Sequence, residues 1–164
     1  MSVSSNGGRA NPLEVVERMA IEHNWAVARL TEAEVALAVN GAWASYQVSF
    51  DWMEETELLH LACAFEIKVP PLRLSEVQRL IVSINEQLWI GHFDVWTDNG
   101  MITYRHALLL AGGLAVSGRQ CEVALGSALD ACERYYPTFQ SVIWGGRTAR
   151  EALDAVMFET RGVA

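Results

Sequence analysis

The chain has 164 residues, 51% of them hydrophobic, which suits one domain with a sizeable core. Its formal net charge of −8, with twelve basic residues scattered rather than gathered in a stripe, repels phosphates over most of the surface and argues against a nucleic-acid partner. After the first ten residues no segment approaches the roughly 18 consecutive apolar residues of a membrane span, and Ala107 to Ala111 is far too short.

Met1 to Ala10 hold Ser, Gly and Asn, one arginine and no apolar run. They read as a flexible tail without signal peptide or anchor, which leaves 11–164 as a single domain and the cytoplasm as the expected location. Cys63, Cys121 and Cys132 are an odd count without C-x-x-C spacing, as fits a reducing compartment. Cys121 and Cys132 fall three turns apart on one predicted helix. At about 1.5 Å rise per residue they are too distant to bond to each other.

Asn11-Pro12 offers a cap and a first-turn proline for a helix whose apolar stripe is Leu13, Val16, Met19 and Ala20, ending near His23-Asn24. Two short strands follow, from Trp25 through Leu30 and through Val35, Leu37 and Val39, with turns near Glu32 and Asn40-Gly41. The clearest strand alternates Ala44, Tyr46, Val48, Phe50 and Trp52 against Ser45, Gln47, Ser49 and Asp51. Its partner runs Leu59, Leu61, Cys63, Phe65, Ile67 against His60, Glu66 and Lys68, making a meander.

Val69-Pro70-Pro71 ends that strand, and a helix follows with Leu74, Val77, Ile81, Ile84 and Leu88 as its apolar face; Ser75 and Gln78 offer an alternative capping box. Gly91 stops the helical spacing. Phe93, Val95 and Ile102, Tyr104 then alternate on either side of Asp98-Asn99-Gly100, so the helix hands directly to a tight hairpin that runs to Leu110. Ser117 and Gln120 suit a capping box for a third helix that buries Cys121, Leu125, Ala128, Leu129 and Cys132. Pro137 is expected to kink or break it, with Phe139 to Trp144 continuing as helix until Gly145-Gly146. Thr148 and Glu151 cap a last helix with Ala152, Leu153, Val156 and Met157 facing inward and Gly162 beyond its end. Strands in blocks, in the order α-β-β-β-β-α-β-β-α-α, predict an α+β antiparallel sheet with flanking helices.

Chemistry is sparse. His92 and Asp94 share a strand face and could form a base with its orienting carboxylate, but no nucleophile accompanies them by spacing. A solvated polar face of a hairpin whose other face is Phe93 and Val95 is the commoner explanation, and Asp94 and Arg105 could pair across the hairpin. Cys63 and His60, three apart on a strand, point to opposite faces, so Cys63 reads as a buried small hydrophobe, as do Cys121 and Cys132. HExxH, EF-hand and phosphate-loop patterns are absent, and no metal or cofactor is expected. Gly145-Gly146-Arg147 is the nearest approach to an anion cradle, and a helix C-cap joined to the next N-cap accounts for it without a ligand. Six tryptophans remain; Trp52 shares parity with Phe50, whereas Trp43 falls on the Ser45, Gln47, Ser49 face and Trp96 with His92 and Asp94.

Asn85, Glu86, Gln87, Leu88, Trp89, Gly91, His92, Phe93 and Asp94 resemble the central signature of the YbjN family of bacterial proteins. The resemblance extends to Asn11-Pro12-Leu13, Leu59 to Phe65, Arg105 to Leu108, Cys132 to Pro137 and Trp144-Gly145-Gly146. That family is described as sensory-transduction regulators with a fold similar to type III secretion chaperones, which are non-enzymatic, commonly dimeric and bind partner proteins. The resemblance implies a cytoplasmic, homodimeric regulator or chaperone-like adaptor without catalytic residues. Trp43, Trp89 and Trp96 are then the candidate protein contacts. The alternative is a small-ligand sensor with a pocket between sheet and C-terminal helices, where His92, Asp94 or Arg105 would fix the ligand.

Overall fold

Asn11 caps the first helix as its position predicts: its Oδ1 accepts the Leu13 N–H at 3.0 Å, and Pro12 sits at the first helical position, where no amide is needed. The structure, a computed structural model, describes residues 11–161. Residues 1–10, read as a tail, and Gly162, read as lying past the last helix, fall outside the described residues.

Helix α1 (Pro12–Glu22) leads into strands β1 (Ala26–Thr31), β2 (Glu34–Asn40), β3 (Ser45–Met53) and β4 (Leu58–Lys68). A 3-10 turn (Pro71–Arg73) precedes α2 (Leu74–Asn85), then come β5 (His92–Trp96), β6 (Met101–Leu109), α3 (Gly118–Ile143) and α4 (Ala149–Arg161). The strands form one antiparallel sheet in the order β1-β2-β3-β4-β6-β5. This is the α+β architecture that the strand blocks predict.

Period-two alternation decides which face is buried. Val35, Leu37, Tyr46, Val48, Phe50, Leu61, Cys63, Phe65, Phe93 and Tyr104 point to one side, onto which α1, α2 and α3 pack. Phe65 is the hub of that core. Its ring centroid lies 5.6 Å from those of Tyr136 and Phe139 and 5.9 Å from those of Tyr46 and Phe93, all tilted or edge-on. The space between the sheet and α3 is therefore filled by aromatic rings.

Several elements depart from the expectations. Helix α3 runs unbroken through Pro137, although proline removes one main-chain bond and crowds the preceding turn. Tyr135, Tyr136, Phe139 and Val142, buried on either side of it, hold the helix against the sheet. Helix α2 ends at Asn85, a turn before Leu88, because the Asn85 side chain leaves the helix for the next strand: its Oδ1 accepts the Phe93 N–H at 2.8 Å and its Nδ2 donates to the Phe93 carbonyl at 3.1 Å. Six residues thus separate α2 from β5, in place of a direct handover. No capping box forms at Ser75 and Gln78, since α2 begins earlier, out of the proline-led turn. The predicted box at Ser117 and Gln120 does form. Thr148 Oγ1 accepts the Glu151 N–H at the start of α4, but Met157 on that helix is exposed rather than inward.

Helices α2 and α4 are joined by polar ties. Glu76 accepts the Ala149 N–H at 2.9 Å, and this bond, with Arg79 beside it, holds the Glu76 carboxyl below its usual range. Arg73 donates to the carbonyls of Val142 (2.9 Å) and Arg147 (2.6 Å). The Gly145-Gly146-Arg147 segment is thus a helix-to-helix joint whose carbonyl is already used.

Candidate functional site

The other face of the sheet carries no helix among the described residues. Registers place Ala28, Ala36, Ser49, Ala62, Arg105 and His92 in one row across all six strands, and Ala26, Ala38, Gln47, Ala64, Thr103 and Asp94 in the next. Small side chains make the middle of this face shallow. At one end Met53, Leu58 and Leu109 stand opposite one another as an apolar row, with Met53 and Leu109 exposed; at the other, Trp96 is exposed beside Met101.

A polar network crosses the face over four strands. Asp51 Oδ2 on β3 lies 3.8 Å from His60 Nδ1 on β4. His60 Nε2 accepts from Arg105 Nε on β6 at 3.1 Å, and Arg105 Nη1 donates to Asp94 Oδ2 on β5 at 3.3 Å. His92 Nε2 reaches the same Asp94 oxygen at 3.4 Å. The structure therefore brings His92, Asp94 and Arg105 together, and the cross-hairpin pairing of Asp94 with Arg105 is present. Sequence reasoning missed Asp51 and His60 as members, because β4 pairs with β6 across a helix and a hairpin and no spacing announces that neighbour.

Beside the network lies an open depression of about 540 Å³, lined by Met53, Leu58, His60, Gly91, His92, Arg105, His106 and Ala107. The expected pocket between sheet and C-terminal helices is thereby corrected in place. Rings fill that space, and the three polar residues face the opposite side of the sheet.

Burial, and then Arg105, push the His60 imidazole below its ordinary range, with Asp51 pulling the other way; burial, and then His92, do the same to His106. A histidine held neutral in the folded state contributes stability that is complete above the unfolded value of about 6.5 and is lost as pH falls below it. Denaturant unfolding at a series of pH values should accordingly show stability dropping below about pH 6.5, less steeply in H60Q. An identical acid dependence in H60Q would remove His60 from that account.

The three candidate tryptophans do not form one patch. Trp43 lies in the β2–β3 loop rather than in the strand, 56% exposed; Trp96 ends β5, 53% exposed; Trp89 stands fully exposed in the α2–β5 loop, at the opposite end of β5. Trp52 is half-buried against the core.

The cysteines are buried, as the strand parity of Cys63 and the helical stripe of Cys121 and Cys132 predict. Burial, then the nearby Glu122, raise the Cys121 thiol to about 11, and burial with the contact to Cys63 pushes Cys132 upward too. Cys63 and Cys132, 69 residues apart, meet with sulfurs 3.6 Å from each other, a proximity that no sequence pattern signals. Among the described residues no group of three His, Cys, Asp or Glu is placed to hold a metal ion, and no helix is long and apolar enough to cross a membrane.

These features define an α+β protein with helices on one face of a six-stranded antiparallel sheet and a polar network across the second face, which no helix covers among the described residues. The chain belongs to the YbjN family, whose model, described as "Putative bacterial sensory transduction regulator", matches residues 12–141. Comparison with curated proteins found no match. Among solved structures it is similar to one described as "Crystal structure of YbjN, a putative transcription regulator from E. coli", at 12% identity and a TM-score of 0.49, covering 76% of this chain and 93% of that one.

Proposed function

We propose that this chain is a non-enzymatic regulator, cytoplasmic and homodimeric, that acts by holding a partner protein against the face of its sheet that carries no helix among the described residues. One observation carries the reading: the middle of this face is surfaced with small residues on either side of the polar network, and its ends are rimmed by exposed Met53, Leu109 and Trp96. An antiparallel sheet can leave one face in water, but such a face is ordinarily polar along its length. Exposed large apolar side chains around a shallow centre suit a docked chain better than bulk water does. The description of the family as sensory transduction regulators supports the regulatory half of the proposal.

The test is affinity capture of the full tagged chain from its native cell extract, followed by native mass measurement. A stoichiometric protein partner is expected, lost from the double variant M53D/L109D and kept by W144A, which alters an exposed tryptophan at the end of α3. Retention by M53D/L109D would sink the open-face reading. A second reading, a small-ligand sensor, rests on the depression beside Arg105 and His60. It predicts a bare protein carrying a reproducible small-molecule mass.

A further inference from the structure

Arginine carries donors only, so the 3.1 Å contact between Arg105 Nε and His60 Nε2 requires a lone pair on that imidazole nitrogen. The ring proton then sits on Nδ1, on the side of Asp51. A second proton has one place to go, Nε2, where it would meet the guanidinium N–H head-on. The hydrogen bond would be replaced by a donor facing a donor and a cation facing a cation.

We infer that His60 and Arg105 form an acid-operated latch on the open face: protonation of His60 at Nε2 expels Arg105 from the network. Arg105 is not left stranded, because Asp94 already accepts from its Nη1 on the far side, and Asp51 remains to pair with the imidazolium. The network splits into two ion pairs, Asp51 with His60 and Asp94 with Arg105, and the guanidinium shifts toward β5. Where one cation stood against two carboxylates, two cations now stand.

The charged and titratable groups around His60 decide the direction. Asp51 on β3, with Glu34 opposite it on β2, favours the charged ring. Arg105 on β6 and His92 on β5 oppose it, Asp94 lies beyond Arg105, and His106 lines the rim of the depression from β6. Burial and Arg105 outweigh Asp51, so the latch stays closed at neutral pH and opens only in acid. It lies on the face assigned above to a partner but operates whether or not one is bound.

Nitrogen-detected NMR of the full chain, taken from about pH 7.5 down to about pH 5, tests it directly. The expected result is a neutral His60 protonated on Nδ1, with the Arg105 Nε–H signal and the His60 ring titrating at one shared midpoint. In H60Q, whose side-chain oxygen accepts at any pH, the Arg105 signal should stay flat. In R105Q the His60 midpoint should rise by about half a pH unit or more, because a like charge has been removed. A neutral His60 protonated on Nε2 would overturn the latch, as would an Arg105 signal that titrates unchanged in H60Q or a His60 midpoint that R105Q does not move.

Discussion

Phe65→Ala is expected to cost about 3–5 kcal/mol of folding stability, read as a lower denaturant midpoint at an unchanged slope. The side chain is 1% exposed, on the central strand β4, and its ring meets those of Tyr46 and Phe93 from the sheet and Tyr136 and Phe139 from α3. Removing it opens a cavity at the seam between sheet and helix, where four rings lose their common neighbour and none can collapse inward without dragging a strand or a helix. Each tilted aromatic pair adds about 0.5–1.5 kcal/mol beyond its buried area, so the loss belongs at the upper end of the range. Since domains of this kind hold only about 5–15 kcal/mol in total, the variant should be largely unfolded at modest denaturant. Glu66→Ala, one residue along and exposed, should stay within about 0.5 kcal/mol of the parent. A Phe65→Ala loss under about 1 kcal/mol would mean that the ring cluster does not join α3 to the sheet.

Phe65 is legible as core from the sequence alone, and the reason is its parity. A strand buries every second residue, so Leu59, Leu61, Cys63, Phe65 and Ile67 announce both the element and its inner face. Caps were legible for the same local reason: Asn11 before Pro12, and Ser117 three residues before Gln120, satisfy amides within a single turn. What stayed hidden depends on contacts between distant segments. Of the kink or break expected at Pro137, the break does not occur because buried tyrosines and Phe139, anchored by the sheet, offset a local penalty of about 3 kcal/mol. Leu88 keeps helical spacing after the helix has ended, since its packing against the core survives the departure of Asn85 to pair with Phe93. The candidate site was legible only in its local half. His92, Asp94 and Arg105 lie on one hairpin and could be associated by register alone, whereas Asp51 and His60 join them only because β4 lies beside β6, and strand order is a tertiary fact.

Gly91→Ala is expected to cost about 2–4 kcal/mol, the second large effect, and to disturb the depression as well as the fold. Gly91 stands at φ +70°, a conformation that costs a residue with a Cβ about 1–3 kcal/mol. A methyl group there would also overlap the Tyr104 hydroxyl and crowd the Arg105 carbonyl oxygen at 2.9 Å. The Tyr104 hydroxyl donates to the Ile90 carbonyl at 2.6 Å, so relief of the overlap breaks a bond worth about 0.5–1.5 kcal/mol. Tyr104 is fully buried, and burial raises its hydroxyl to about 12, so it remains a neutral donor throughout the working pH range. Two consequences follow at separate places. The α2–β5 loop that bears Trp89 and Ile90 should detach from β6, seen as faster amide exchange at Ile90 through Phe93. Arg105, whose carbonyl is displaced, should weaken its contact with His60, so the His60 titration midpoint should rise along with the loss of stability. Gly112→Ala supplies the control, since that glycine also has positive φ but an added methyl there meets nothing within 4 Å. It should show the conformational cost alone, without any change at His60. Equal costs for the two alanines would show that backbone conformation, and not the close approach of Tyr104, makes glycine necessary at position 91.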